Sequence, residues 1–256
     1  MKLTCVWSLL VAGAVVMGTF VVAPGAEGSA KSAKATRPKR RPNPVFAKIQ
    51  DVPGLPRVLL IGDSISIGYT LEVRKLLAGK ANVHRIPTNG GPTSRGLTSL
   101  KSWLGTGRWD VVHFNWGLHD LKYMDAKGRL DSTGHQQIPP EAYEKNLGEL
   151  VRRLQATGAK LIWCSTTPVP KGSGGRIQGD AARYNRIAAK VMANAKVPTD
   201  DLYAFALPRL KTIQRPKNVH FTAAGSKALA RQVADHILKA LGKAPLPKPT
   251  TRPEKR

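Results

Sequence analysis

The chain predicts an α/β fold built on a doubly wound parallel sheet, and three observations carry that prediction. Short apolar runs alternate with amphipathic segments from about Val58 to Leu241. Each apolar run breaks into a turn rich in Gly, Asp, Asn or Ser. The residue types that perform chemistry gather in those turns, where an open parallel sheet binds its ligands.

The elements follow in order. A first strand at 58–62 rests on Val58-Leu59-Leu60-Ile61, and its helix is expected over 68–78. A second strand at 81–87 ends in Thr88-Asn89-Gly90-Gly91-Pro92, followed by a helix at 95–104. The third strand, 110–115, runs into Trp116-Gly117-Leu118-His119-Asp120. After a polar loop, Pro140 in the first turn starts a helix to about Thr157. Leu147, Leu150, Val151 and Leu154 give that helix one buried face, and Gly158 closes it. A fourth strand at 160–166 and a loop at 168–179 precede a helix at 181–194. A short strand near Val197 and a final helix at 222–241 complete the domain. No internal repeat is present.

The 256 residues, 41% of them hydrophobic, suit one domain with tails. The apolar stretch 3–22, with Lys2 before it and Ala23-Pro24-Gly25-Ala26 after it, predicts an export signal over 1–30. The alternative is an uncleaved membrane anchor. Export, to a periplasmic, secreted or envelope site, leaves Cys164 as the sole cysteine, so no intrachain disulfide forms and that thiol reads as a buried strand residue. The net charge of +25 concentrates partly in a disordered basic linker (31–50) and a Pro-rich tail (243–256), outside a folded domain at 51–242. Such tails attract anionic polymers. The basic residues alternate with Pro rather than aromatics, so no specific nucleic-acid partner is expected.

Two segments carry the chemistry. Gly62-Asp63-Ser64-Ile65 places a hydroxyl at the C-terminal end of the first strand, beside the free N–H groups of a helix start. Val219-His220-Phe221-Thr222 places an imidazole before the last helix. A sheet order of 2-1-3-4-5 makes the turns after the first three strands neighbours, with His220 able to reach the same edge. Serine and histidine in that relation point to nucleophilic acyl transfer.

These segments resemble the four blocks of the SGNH (GDSL-type) hydrolases, over about Arg57 to Leu241. The resemblance implies a flavodoxin-like, three-layer α/β/α sandwich with a five-stranded parallel sheet. It implies Ser64 as nucleophile, His220 as general base and then acid, and an oxyanion donor at Gly91, with Gly90 as the alternative. In the third block His119 stands where the family has asparagine. A neutral imidazole offers one N–H and can substitute; Asn115 is the alternative donor. Lys217 stands where the family has an aspartate three residues before the histidine, which leaves Asn218 or a backbone carbonyl to orient His220. Neither cofactor nor metal is implied. The expected activity is a serine esterase acting on acyl esters, O-acetyl groups of carbohydrates foremost. An acyltransferase using the same serine and a silent polyanion-binding module are the other classes.

The remaining polar residues have plainer expectations. Asp63 fixes its turn, Asp120 braces its loop, and Asn89 is a turn residue. His84, His113 and His236 are structural, and Tyr184-Asn185 packs. Trp103, Trp116 and Tyr123 are candidates for a sugar-stacking surface. Lys171 to Arg176 form a mobile basic loop, a lid or a clamp for an anionic substrate.

Overall fold

Apolar runs without alternation mark strands covered on both faces, and Arg57–Ile61 (β1) is such a strand, buried from Val58 onward. The computed structural model describes residues 43–247. It sets β1 between Asn82–Arg85 (β2) and Val111–Phe114 (β3), parallel to both. Tyr123–Met124 (β4) and His135–Gln136 (β5) form a separate antiparallel pair. Lys160–Cys164 (β6) pairs with β3, and Thr199–Asp200 (β7) with β6. The five-stranded order is β2-β1-β3-β6-β7, the predicted order with the small pair set aside. In register, Ile61 faces Phe114 and Phe114 faces Trp163, so the central strands end on one line.

The helices are Ser64–Leu76 (α1), Thr93–Leu104 (α2), Pro140–Gln155 (α3), Asp180–Asn194 (α4), Leu202–Ala206 (α5), Leu210–Ile213 (α6) and Ala223–Ala240 (α7). α1 packs along α7, while α2 packs on α3 and α3 on α4. The result is the three-layer α/β/α sandwich expected. Its core runs from Val58 through Trp163 to Leu238. Among the described residues no helix is long and apolar enough to cross a membrane.

The structure departs from the sequence-based expectation at several boundaries, each for a physical reason. α1 starts at Ser64 rather than Gly68, because Asp63 caps it by accepting the Ile65 N–H at 2.9 Å. α2 starts at Thr93 rather than Arg95, because the Asp120 carboxylate, from another loop, accepts the Thr93 N–H at 2.8 Å. β4, β5, α5 and α6 were not expected; they are too short to show a period. Residues 43–50, assigned by composition to the disordered linker, instead hold a 3-10 turn at Pro44–Phe46 with Val45 buried. The start of the tail is likewise docked, with the Leu246 N–H donating to Asp235 Oδ1 at 2.7 Å and Lys243 Nζ to the Lys80 carbonyl at 2.8 Å. The signal, the rest of the basic arm and the end of the tail lie outside the described residues.

Of the three residues expected to offer a stacking surface, Tyr123 alone is partly exposed. Trp116 is 1% exposed and packs against Phe114, and Trp103 is buried as well. Trp116 instead fixes α2 against the sheet: a Cβ on Gly96 would lie 2.8 Å from Trp116 Cζ2 and 3.1 Å from Leu150 Cδ1. Gly96→Ala is therefore expected to lower the unfolding free energy by about 1–2 kcal/mol, overpacking outweighing alanine's helix preference. Urea titration measures this, and an unchanged midpoint shows that Trp116 yields.

Candidate active site

The turn after β1 holds Ser64 by three independent constraints. Asp63 caps α1 from within the chain. Arg85, at the end of β2, donates through Nη2 to the carbonyls of Gly62 (2.9 Å) and Asp63 (3.1 Å) and to Ser66 Oγ (2.7 Å). The Gly90 N–H donates to the Gly62 carbonyl at 2.9 Å. A Cβ on Gly90 would sit 3.0 Å from that same oxygen, so the approach of the two turns needs glycine. Arg85 is 9% exposed, and burial lowers its pKa to about 10, still well above neutrality. Sequence reasoning missed Arg85; its signal was a lone guanidinium within the apolar run Val83-His84-Arg85-Ile86. Ser64 opens α1, and its own N–H has no partner among the described residues, as befits the first donor of a helix.

His220 stands 2.8 Å from Ser64 Oγ through Nε2. On the other side of the ring, Nδ1 lies 2.7 Å from Asn218 Oδ1, and the His220 backbone N–H donates to that same oxygen at 2.9 Å. A backbone N–H can only donate, so the Asn218 atom facing it must be the amide oxygen. That oxygen in turn requires Nδ1 to carry the proton, leaving the Nε2 lone pair for the serine hydroxyl. The structure thus offers Asn218, not a backbone carbonyl, as the group that orients the ring. The loop itself is fixed by the buried Gln214, whose amide donates to Pro168 and Val219 carbonyls at 2.9 and 3.0 Å. Burial pushes the His220 pKa down, with Arg176 and Arg215 acting the same way against the pull of Asp63. The imidazole is neutral, and basic, at neutral pH.

The third-block loop is positioned by close packing. A Cβ on Gly117 would overlap Thr166 Oγ1. His119 emerges half-buried from that loop, its ring without a hydrogen bond to a described residue. Burial lowers its pKa, Asp63 raises it, and Lys122, Arg176 and Arg95 lower it further. Asp63, the residue before Ser64, thus acts on both histidines. Asp120 is wholly buried and accepts from the Thr93 N–H and, at 2.6 Å, the Thr93 hydroxyl. It therefore ties the second-block loop to the third, a larger task than the loop bracing expected of it.

Three predicted or alternative oxyanion donors are already engaged. The Gly91 N–H donates to Asn89 Oδ1 at 2.9 Å, and the Gly90 N–H to Gly62 as above. Asn115 spends both amide protons, on the Cys164 carbonyl (2.7 Å) and Thr166 Oγ1 (3.3 Å). Asn89 thus acts as the turn residue expected, accepting the N–H two residues on, and an oxyanion at Gly91 would compete with it.

The 168–179 loop, expected to be mobile, is held at several points. Arg176 Nε donates to the Leu118 carbonyl at 3.0 Å, the Tyr123 N–H to that of Gly175 at 2.7 Å, and Ser173 is buried. For metals, one set of ligand-type side chains converges among the described residues: His113, Cys164 and Asp200, with donor atoms within 4.8 Å of one another. Asp200 accepts from Gln232 at 2.8 Å and faces His113 Nε2 at 3.0 Å. Within this set only His113 and Asp200 are bonded to each other; Cys164 Sγ faces the Ser165 carbonyl at 3.7 Å, and His113 Nδ1 has no partner among the described residues.

Residues 60–228 match the model of the GDSL-like lipase/acylhydrolase family. No protein of curated function matches the chain. Among solved structures, the lipase/acylhydrolase from Enterococcus faecalis superposes with a TM-score of 0.61 at 19% identity, over 75% of this chain and 100% of that one. Axe2, an acetylxylan esterase from Geobacillus stearothermophilus, gives 0.60 at 17%, over 76% and 97%. The acetyl xylan esterase AlAXEase gives 0.59 at 18%, over 71% and 99%. At these identities the likeness is one of fold.

Two outcomes follow from the geometry. Asn218→Asp places a carboxylate on Nδ1 and is expected to raise the pKa governing the acid limb of kcat/KM by about one unit or more; a limb that stays put shows that Asn218 does not face the working ring. Burial pushes the Asp120 carboxyl up to about 7, against about 3.9 in an unfolded chain. Between those values the folded state keeps a proton the unfolded state has released, so this group's contribution to stability falls as pH rises through the window. Asp120→Asn retains the acceptor for Thr93, and its urea midpoint is expected to gain on wild type between pH 5 and pH 8. A constant difference would show that the carboxyl ionises there without cost.

Proposed function

Because the chain belongs to the GDSL-like lipase/acylhydrolase family, and so to the ester hydrolases, we propose that it is an exported serine esterase in which Ser64 attacks and His220 carries the proton. The observation that carries this reading is the Ser64 Oγ to His220 Nε2 hydrogen bond of 2.8 Å, with the proton placed on Nδ1 by Asn218. As the serine oxygen adds to the ester carbonyl, Nε2 takes the hydroxyl proton and the ring becomes an imidazolium. On this reading the unpartnered Ser64 N–H and one N–H of His119 are the donors for the developing oxyanion, and the Gly91 N–H joins them when Asn89 releases it. The imidazolium then protonates the departing alcohol. Water, activated by the same ring, frees the acid and restores the serine.

The acyl group is small on this reading. Ser64 and His220 line an open cleft with Ile65, Gly68 and Phe221 rather than a deep apolar tunnel, and an acetyl group needs no more. Two of the solved structures of like fold are acetyl xylan esterases, which favours O-acetyl groups on carbohydrate. The apolar segment at 3–22 supports export to where such polymers are met.

Turnover of p-nitrophenyl acetate and acetate release from acetylated xylan test the proposal. Ser64→Ala and His220→Ala are each expected to lower kcat/KM by on the order of 10⁴-fold. His119→Ala is expected to cost about 100- to 1000-fold in kcat with KM little changed, as for loss of an oxyanion donor. Wild-type turnover in Ser64→Ala ends the serine mechanism; turnover of the aryl ester without any acetate from xylan ends the carbohydrate assignment.

A further inference from the structure

The catalytic edge carries cations that no described carboxylate neutralises. Arg215 lines the same cleft as Ser64 and His220, and its backbone N–H donates to the His220 carbonyl at 2.9 Å. Its side chain is exposed and enters no ion pair among the described residues. Arg176 approaches from the opposite loop, half-buried, with Nε on the Leu118 carbonyl and Nη1 on that of Gly174 at 3.4 Å. Carbonyl oxygens orient this guanidinium without discharging it, and Leu118 is the residue before His119. Arg95 lies against Gly91, whose Cβ position is 3.0 Å from Arg95 Cδ. Some arginines of the described fold pair with acids, Arg57 with Asp51, Arg129 with Asp125, Arg152 and Arg153 with Glu149, while the exposed Arg108, Arg183, Arg186 and Arg209 pair with none there; what sets Arg215 apart is its place in the cleft of Ser64 and His220.

The carboxylates at this edge do not restore the balance. Asp63 is turned inward to cap α1, and Asp120 is sealed against Thr93. A half-buried arginine without a counter-ion bears a desolvation cost that a solvated surface cation does not, so Arg176 is not explained by the chain's general basicity. Among the described residues, Arg215 offers an unengaged guanidinium fork in the cleft of Ser64, and Arg176 keeps Nη2 free on the loop that contacts Leu118; a guanidinium matches the planar geometry of a carboxylate.

We propose that the substrate carries a carboxylate next to its scissile ester, held by Arg215 and Arg176 as Ser64 attacks. This rests on the serine esterase reading and narrows it, from acyl esters in general to those of acidic sugars or acidic acyl groups. The charge both raises the local concentration of substrate and fixes its orientation over the nucleophile.

Two matched pairs of esters place the charge on either side of the scissile bond: mono-p-nitrophenyl succinate with its methyl ester, and 4-acetoxybenzoate with its methyl ester. Rates are divided by those of hydroxide hydrolysis to remove intrinsic reactivity. In at least one pair the carboxylate form is expected to have a kcat/KM about tenfold or more above its neutral partner at low salt, shrinking at high salt. Arg215→Gln, an exposed position whose change leaves the fold intact, is expected to lower the charged member about tenfold more than the neutral one. Equal rates within both pairs, or an equal effect of Arg215→Gln on both members, overturns the proposal. The neutral esters keep the two readings apart: if wild type hydrolyses them and Ser64→Ala does not, the esterase stands although the charge preference has failed.

Discussion

A hydrogen bond of 2.8 Å joins Ser64 to His220 across 156 residues of chain, and most of the fold can be understood as the means of keeping it. Its two ends belong to different helix starts, so their separation is fixed only if the strand ends and loops are fixed. The level register of β1, β3 and β6 supplies one reference line. Arg85 supplies a second by gathering the carbonyls of Gly62 and Asp63 under one guanidinium. Gln214 supplies the third, binding the His220 loop to the loop after β6. None of these residues touches a reacting atom; each removes a freedom that would let the imidazole drift from the hydroxyl.

The proposed mechanism creates an imidazolium at this edge, and the electrostatics there are unusual for that task. Burial and two arginines hold His220 neutral, and its second nitrogen meets an amide oxygen instead of a carboxylate. The ring is thus well oriented and strongly poised as a lone-pair donor, yet its protonated form has little stabilisation of its own. Asp63 is the acid within reach, and it is committed to the α1 cap. A substrate that brings negative charge into the cleft would ease formation of the imidazolium, because its charge offsets that of the arginines during proton transfer.

The parts of this molecule that were legible in the sequence are those written in local pattern. Val58 to Ile61 and Leu161 to Cys164 announce buried strands by composition, and the turns holding Ser64, His119 and His220 announce themselves by residue type at the ends of such runs. What was not legible is what one segment does to another. Nothing beside Asp120 in the chain says that its carboxylate starts α2 twenty-seven residues away. Nothing beside Trp116 says that Gly96 is waiting for it. Composition misled at the margins too, since Val45 and Leu246 lie in basic, Pro-rich surroundings yet pack on the domain.

Lys217 adopts a left-handed φ of +52°, and its side chain leans toward Gly172, whose Cβ position is 3.2 Å from Lys217 Cγ. An acid introduced there would inherit that turn and that closeness to Gly172. The job of steering the ring has moved one residue along, to a side chain that steers without charge. Surveys that score a fixed spacing between acid and histidine would therefore pass over chains of this kind, in which the ring meets an uncharged partner at a different address.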